Sequence, residues 1–233
     1  MTTRIGSRLP LAFLLSAFAW VGVSGDLAAG QARAEQGPVD PRTLVTRPAI
    51  HGIPYSEARA YGRQAIPALL AMLRDTSLEE YWDKIIYVLG CIGDPAATAP
   101  LMDFLKSQRG EISVQTFRAT LAVLPALGHI ARGGDSAALT TITDFTQADQ
   151  WQKAGLAFSY SRYRGEALGE VLGRTAIQGL GITGTPEALG VLYSLGSNPS
   201  LRPDWRDNVD EAVSLNLRIG LLGADAVFSE VQP

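Results

Sequence analysis

Residues 85–105 read IIYVLGCIGDPAATAPLMDFL, and this stretch decides the fold class. Its first half places apolar residues at Ile85, Ile86, Leu89 and Ile92, the spacing of one helix face. A glycine, an aspartate and a proline follow directly, and these residue types end one helix and begin the next. The stretch therefore predicts a pair of helices joined by a tight turn.

The same junction recurs along the chain. Residues 134–138 (GDSAA) repeat 93–97 (GDPAA), and residues 184–188 (GTPEA) keep the pattern. The glycine at the start of each copy suits a left-handed C′ position, and Asp94, Asp135 or Thr185 stands where an N-cap is wanted. Upstream, a Leu-Gly or Ile-Gly pair stands in one register at residues 89–90, 127–128, 180–181 and 219–220.

Each repeated unit predicts two helices that cannot bury their apolar faces alone. Stacked neighbours bury those faces, which is the arrangement of an α-solenoid. We therefore predict an all-α fold, an α-solenoid of about five stacked helix pairs. The provisional units are residues 55–75, 78–107, 111–146, 165–196 and 204–231.

These repeats resemble a known family. The run AIPALLAML (65–73), continued by LGCIGDPAATAPLMDFL (89–105), resembles HEAT repeats of the short bacterial kind, and the resemblance covers about residues 56–230. It implies a helical array that presents a surface to a partner, without indicating which partner. The chain departs from the family at an insertion, residues 147–164 (QADQWQKAGLAFSYSRYR).

The beginning of the chain has the layout of a secretory signal peptide, which we assign to residues 1–34. Arg4 and Arg8 precede an apolar run at residues 9–23, and Ala-Arg-Ala at 32–34 suits a signal peptidase. The apolar run is shorter than the ~20 residues of a spanning helix, so we expect no membrane span after cleavage. The predicted location is extracytoplasmic, either periplasmic or secreted.

The remaining chain divides into a leader and a repeat domain. Residues 35–54 carry four prolines and predict an extended leader, because proline lacks the amide donor and disfavours helix in the preceding residue. Residues 55–233 form the predicted HEAT-repeat domain.

The charge balance argues against nucleic acid as a partner. Three of the 20 basic residues and one of the 23 acidic residues lie in 1–34, which leaves 17 basic and 22 acidic residues after cleavage. Nucleic-acid binders usually carry a basic surface, so we expect a protein partner instead.

Few residues of the chain are suited to catalysis. His51 and His129 are the only histidines and Cys91 is the only cysteine, too few for the usual zinc sites. Residues 179–184 (GLGITG) match a dinucleotide-binding pattern but follow a helical segment, whereas such a site needs a preceding strand. We predict a non-enzymatic protein with no catalytic, cofactor or metal site, in which His129 and Cys91 are packed residues.

Two sets of residues are candidates for partner binding. Asp103 and Asp144 recur at one repeat position and predict an acidic row on successive second helices. The insertion supplies Trp151, Tyr160, Arg162, Tyr163 and Arg164, residue types that are over-represented at interface hot spots. The alternative for this segment is that it folds back and packs its aromatic rings on the helices.

A stripe of small residues follows the insertion. Gly165, Gly169 and Gly173 lie four apart, so on a helix they leave one face smooth. That face predicts either tight packing beside the insertion or a docking groove for a partner.

The function expected from these features is scaffolding. The chain is expected to be an exported protein that mediates protein–protein interaction. Two alternatives remain open at this point: an accessory subunit of an envelope enzyme, or a binder of glycans or the cell wall through the aromatic segment 147–164.

Overall fold

Paired helices make up most of this computed structural model, which describes residues 40–48, 52–199, 201 and 203–229. The α-helices of these ranges are Pro41–Thr46 (α1), Tyr55–Arg59 (α2), Ile66–Leu73 (α3), Trp82–Ile92 (α4), Thr98–Ser107 (α5), Val114–Arg132 (α6), Ser136–Asp144 (α7), Gln150–Lys153 (α8), Glu166–Thr183 (α9), Pro186–Gly196 (α10), Pro203–Leu222 (α11) and Ala224–Ser229 (α12). Two short strands are Arg109–Glu111 (β1) and Ala157–Ser159 (β2). The predicted all-α class is confirmed.

The turns between paired helices have the predicted geometry. Gly93 and Gly184 are left-handed, with φ of 72° and 64°. The side chains of Asp94, Asp135 and Thr185 accept hydrogen bonds from backbone N–H groups two or three residues later. Each junction thus satisfies donors that the start of a helix leaves without an internal partner.

The long helices α4, α6, α9 and α11 lie side by side in chain order, each in extensive contact with the next. The shorter α5 packs against α6, α7 against α6 and α9, and α10 against α9 and α11. Apolar side chains on the long helices, such as Leu89, Leu127 and Leu180, are fully buried between these layers. The core is therefore formed by the faces that the helical spacing predicts.

Glycines allow the long helices to approach each other closely. A Cβ atom added at Gly90 of α4 would lie 2.7 Å from the Cα of Ala126 in α6. A Cβ atom at Gly128 of α6 would overlap the carbonyl group of Gly179 in α9. No residue larger than glycine fits at these two crossings without moving the helices apart. Close contact between helix backbones is therefore the physical reason for the glycine of the recurring Leu-Gly pair.

Two helices near opposite ends of the described chain, α2 and α12, meet. Helix α2 contacts both α4 and α12. The ring of Tyr55 lies 5.0 Å from that of Phe228, and Arg59 forms an ion pair of 2.5 Å with Asp225. The Phe228 ring also lies 5.2 Å from His129 near the end of α6. Helices α2 and α12 therefore cover the same part of α6.

The prediction of an extended leader at residues 35–54 is wrong for residues 41–46, because these residues form α1. The carboxylate of Asp40 accepts a hydrogen bond from the backbone two residues later, and Pro41 occupies the first turn. Proline suits that position because its missing N–H needs no partner there. Leu44 and Val45 are buried, and α1 packs against α3.

The predicted signal peptide, residues 1–34, lies outside the described residues. Among the helices that the structure describes, none has the length and apolar character needed to cross a membrane.

Candidate functional site

The structure distributes the candidate partner-binding residues over several places. Asp103 on α5 and Asp144 at the end of α7 are both exposed. Asp103 borders a pocket of about 390 Å³ beside α3, α4 and α5. Trp82 and Phe104 also line that pocket, with their rings edge to face at 5.4 Å. Asp144 is not among the residues that line it.

Two of the aromatic candidates pack against the helices. The rings of Tyr160 and Tyr163 stack on Phe117 of α6, at centroid distances of 4.7 and 5.1 Å. The backbones of the two tyrosines also bond to each other, through N–H···O contacts of 3.1 and 2.9 Å. The fold-back alternative therefore describes this part of the insertion.

A parallel strand pair attaches the insertion to the connection between α5 and α6. Strand β2 pairs with β1, so that Gly110 stands opposite Phe158. The carboxylate of Glu111 accepts hydrogen bonds from the Ser159 hydroxyl and the Ser161 N–H, each 2.7 Å long. These bonds, the Ser159 bond first, lower the pKa of Glu111 below its usual value. The insertion therefore has secondary structure of its own, the helix α8 and the strand β2.

The two candidate arginines are exposed at the tip of the insertion. The Arg162 guanidinium lies 5.2 Å from the centroid of the Tyr163 ring. The Arg164 side chain donates a hydrogen bond of 3.0 Å to the Ser161 carbonyl. Both contacts are with residues one to three positions away, and both arginine side chains stay exposed to solvent.

The glycine stripe of α9 holds two indole rings. Trp151 of α8 lies against Gly169, and Trp205 of α11 lies against Gly173, so closely that a Cβ at either glycine would overlap the ring. Tight packing beside the insertion is thus the role of these two glycines. Sequence reasoning missed Trp205, which is distant from the insertion along the chain.

A pocket of about 500 Å³ opens beside these indoles, between α8, α9, α10 and α11. We call it the two-tryptophan pocket; its walls include Trp151, Gln152, Glu166, Glu170, Leu195 and Trp205. Trp205 is only 7% exposed, and its Nε1 has no hydrogen-bond partner in the described part of the chain. A polar donor without a partner is therefore buried in the wall of the pocket.

The two-tryptophan pocket has acidic residues in its lining and basic residues beside it. Among the described residues that line it, the charged ones are Asp149, Glu166 and Glu170. Lys153 forms an ion pair of 2.9 Å with Asp149, and both side chains are more than half exposed, so water weakens the pair. Arg206 also lies at this pocket, where its guanidinium donates hydrogen bonds of 3.2 and 2.9 Å to the carbonyls of Gly196 and Asn198.

A buried cluster surrounds His129. The imidazole stacks on the Tyr55 ring at 5.4 Å, and Arg132 donates a hydrogen bond to the Tyr55 hydroxyl. Burial, with a smaller effect of Arg132, lowers the pKa of His129 to about 3. Burial raises the pKa of the Cys91 thiol to about 12. At neutral pH both groups are uncharged, and His129 and Cys91 are packed residues as predicted.

Comparisons with known proteins do not assign any of these places a role. No protein-family model matches the chain, and searches of curated proteins and of solved structures gave no significant match. Within the described ranges, no group of three or more His, Cys, Asp or Glu residues is placed to hold a metal ion. The site is therefore interpreted from its geometry.

Proposed function

We propose that this chain is an exported, non-enzymatic protein of the HEAT-repeat type that binds another protein. Five helix pairs support a solenoid interpretation, with α8 of the insertion between the third and the fourth: α2/α3, α4/α5, α6/α7, α9/α10 and α11/α12. The recurring glycine and N-cap at the junctions, and the packing of the long helices in chain order, support it further. The signal-like residues 1–34 support export.

The observation that carries the binding role is the two-tryptophan pocket. Concave sites with aromatic walls and a few polar groups are typical ligand pockets, and tryptophan and arginine are enriched at interface hot spots. The insertion contributes Trp151 and Gln152 to the pocket and also displays Arg162 and Arg164. A partner that contacts the insertion would therefore meet an aromatic pocket and exposed cations on one segment. If the partner is an envelope enzyme, this chain is its accessory subunit.

Site-specific photo-crosslinking in cells tests this proposal. A photoreactive amino acid is placed at Gln152 in the pocket or at Arg162, and at Gln64 as an exposed control outside both pockets. We expect the first two positions to capture the same protein and Gln64 not to capture it. The proposal fails if an abundant, folded protein gives no product at Gln152 or Arg162, or the same products at Gln64.

Glycan binding is a second candidate, favoured by one feature of the pocket. Its two indoles stand beside the exposed amide side chain of Gln152, a combination that suits stacking and hydrogen bonding to a sugar. Titration with cell-wall fragments, followed by tryptophan fluorescence, tests this candidate. A Trp151→Phe variant shows whether any spectral change arises in the pocket, and an unchanged spectrum of the parent protein argues against glycan binding.

A further inference from the structure

We infer that a second pocket of the chain binds a free α-amino acid with an apolar side chain, in its zwitterionic form. The pocket is the one of about 390 Å³ beside α3, α4 and α5, which we call the α3–α5 pocket. It shares no lining residue with the two-tryptophan pocket, so the inference goes beyond the proposed function and does not depend on it.

Two opposite charges in the lining are the first reason. Among the described residues that line the α3–α5 pocket, the charged ones are Arg74, at the C-cap of α3, and Asp103, on α5. Both side chains are exposed, and neither forms a hydrogen bond or an ion pair within the described part of the chain. An arginine can bind a carboxylate through two parallel hydrogen bonds, and an aspartate accepts hydrogen bonds from an ammonium group. A ligand that carries both groups satisfies both side chains.

The charges next to the pocket are compatible with such a ligand. Asp75 forms an ion pair of 3.4 Å with Arg42, so these two charges offset each other. Lys106 and Arg109 follow on the same segment as Asp103, and Arg109 donates hydrogen bonds to two carbonyls at the end of α5. These two cations favour the carboxylate of the ligand. Asp103 is the carboxylate in the described lining that can receive the ammonium group.

The apolar part of the lining suits the side chain of the ligand. Leu70 and Pro100 are half-buried and contribute apolar surface to the pocket. Trp82 and Phe104 are at most 9% exposed, and their rings lie edge to face at 5.4 Å. The Trp82 Nε1–H donates a hydrogen bond of 3.3 Å to the carbonyl of Asp75, so the polar atom of this indole has its partner. The pocket volume lies in the range of small-ligand sites.

Two other polar side chains of the lining are already engaged. The Ser107 hydroxyl and the Gln108 Nε2 both donate to the carbonyl of Phe104, at 2.8 and 2.9 Å. They satisfy a carbonyl that the end of α5 leaves without a helical partner. Arg74 and Asp103 are therefore the charged groups of the described lining that are available to a ligand.

NMR titration of the purified protein tests the inference, because weak binding is measurable in this way and the Trp82 indole N–H reports from the pocket wall. The probes are leucine, N-acetyl-leucine, which lacks the ammonium group, leucinamide, which lacks the carboxylate, and glycine, which lacks the apolar side chain. We expect saturable shifts of the Trp82 N–H with leucine. Each of the other probes should bind about threefold more weakly or worse, because each loses one exposed ion pair or the apolar contact.

Variants that remove one charge assign each group of the ligand to its residue. Arg74→Gln should weaken binding of leucine and N-acetyl-leucine by about threefold and leave leucinamide unchanged. Asp103→Asn should weaken leucine and leucinamide and leave N-acetyl-leucine unchanged. Asp144→Asn is the matched control, because Asp144 is exposed at the equivalent repeat position, on α7, and is not in the lining. Thermal unfolding of each variant verifies that the fold is intact.

Three results would overturn the inference: no saturable shift with leucine, binding of N-acetyl-leucine or leucinamide as tight as that of leucine, or an equal loss of affinity in Asp144→Asn. If crosslinking at Gln152 captures a partner while leucine does not bind, the inference fails and the proposed function stands. If leucine binds with the expected pattern while crosslinking captures nothing, the inference stands and the proposed function fails.

Discussion

Gly128 and Gly190 are both helical glycines, but their surroundings differ. A Cβ atom at Gly128 would overlap the backbone of Gly179, whereas one at Gly190 has no atom within 4 Å. Gly128→Ala should therefore lower the free energy of unfolding by about 1–3 kcal/mol, because the helices must separate. Gly190→Ala should raise it by roughly 0.5–1 kcal/mol through helix propensity. Urea denaturation of both variants measures the difference, and equal effects would contradict close backbone packing.

His129 is the residue whose titration should affect stability. Its pKa is about 3 in the folded chain, and an unfolded histidine has a pKa of about 6.5. Below about pH 6.5 the unfolded state therefore binds a proton that the folded state does not bind. The contribution is fully present above that pH and is lost as the pH falls, by up to about 1.4 kcal/mol per pH unit.

A His129→Leu variant isolates this effect. We expect the free energy of unfolding of the parent protein to fall more steeply than that of the variant between about pH 7 and pH 5. His51 is the only other histidine and is present in both proteins, so it cancels in the comparison. Parallel pH profiles would show that His129 is protonated in the folded state.

At the scale of elements, the insertion combines packed and exposed residues. Tyr160 stacks on Phe117, so Tyr160→Ala should destabilise the protein by about 1–3 kcal/mol through lost apolar burial and ring stacking. Arg162 is exposed, so Arg162→Ala should change stability by less than about 0.5 kcal/mol. Thermal unfolding distinguishes them. A larger loss in the arginine variant would show that the tip, rather than the tyrosine ring, holds the insertion in place.

The elements predicted from sequence are those with local causes. The spacing of Ile85, Leu89 and Ile92, the glycine turn and the Asp94 cap act within a few residues, and the structure reproduces them. Helix α1 was missed because prolines were interpreted only as helix breakers. Strands β1 and β2 were missed because three residues are too few to show a period and their pairing joins distant parts of the chain.

The candidate pocket was predicted only in part. Trp151 belongs to the insertion and was selected from its residue type. Trp205, Leu195 and Glu170 join it because α9, α10 and α11 pack together, and no local pattern indicates such a meeting. The glycine stripe was the available signal, since Gly169 and Gly173 are where the indoles approach α9.

For the whole molecule, contact between α2 and α12 should couple the two ends. In an open repeat array each unit contacts only its neighbours, so end units open independently. Here Phe228 touches Tyr55 and His129, so Phe228→Ala should increase amide hydrogen exchange in α2 as well as in α12. Tyr193→Ala, an aromatic truncation at an exposed site of α10, is the control. Unchanged exchange in α2 would show that the ends open separately.

The meeting of α2 and α12 also bears on how such a chain evolves. Repeat proteins commonly gain or lose units by duplication and deletion, because each unit depends only on its neighbours. An extra helix pair between α10 and α11 would displace α12 by about one helix spacing, roughly 8–10 Å. Phe228 would then leave Tyr55, and the cluster around His129 would open to water. Selection on this contact would hold the number of units constant while the sequence of each unit diverges.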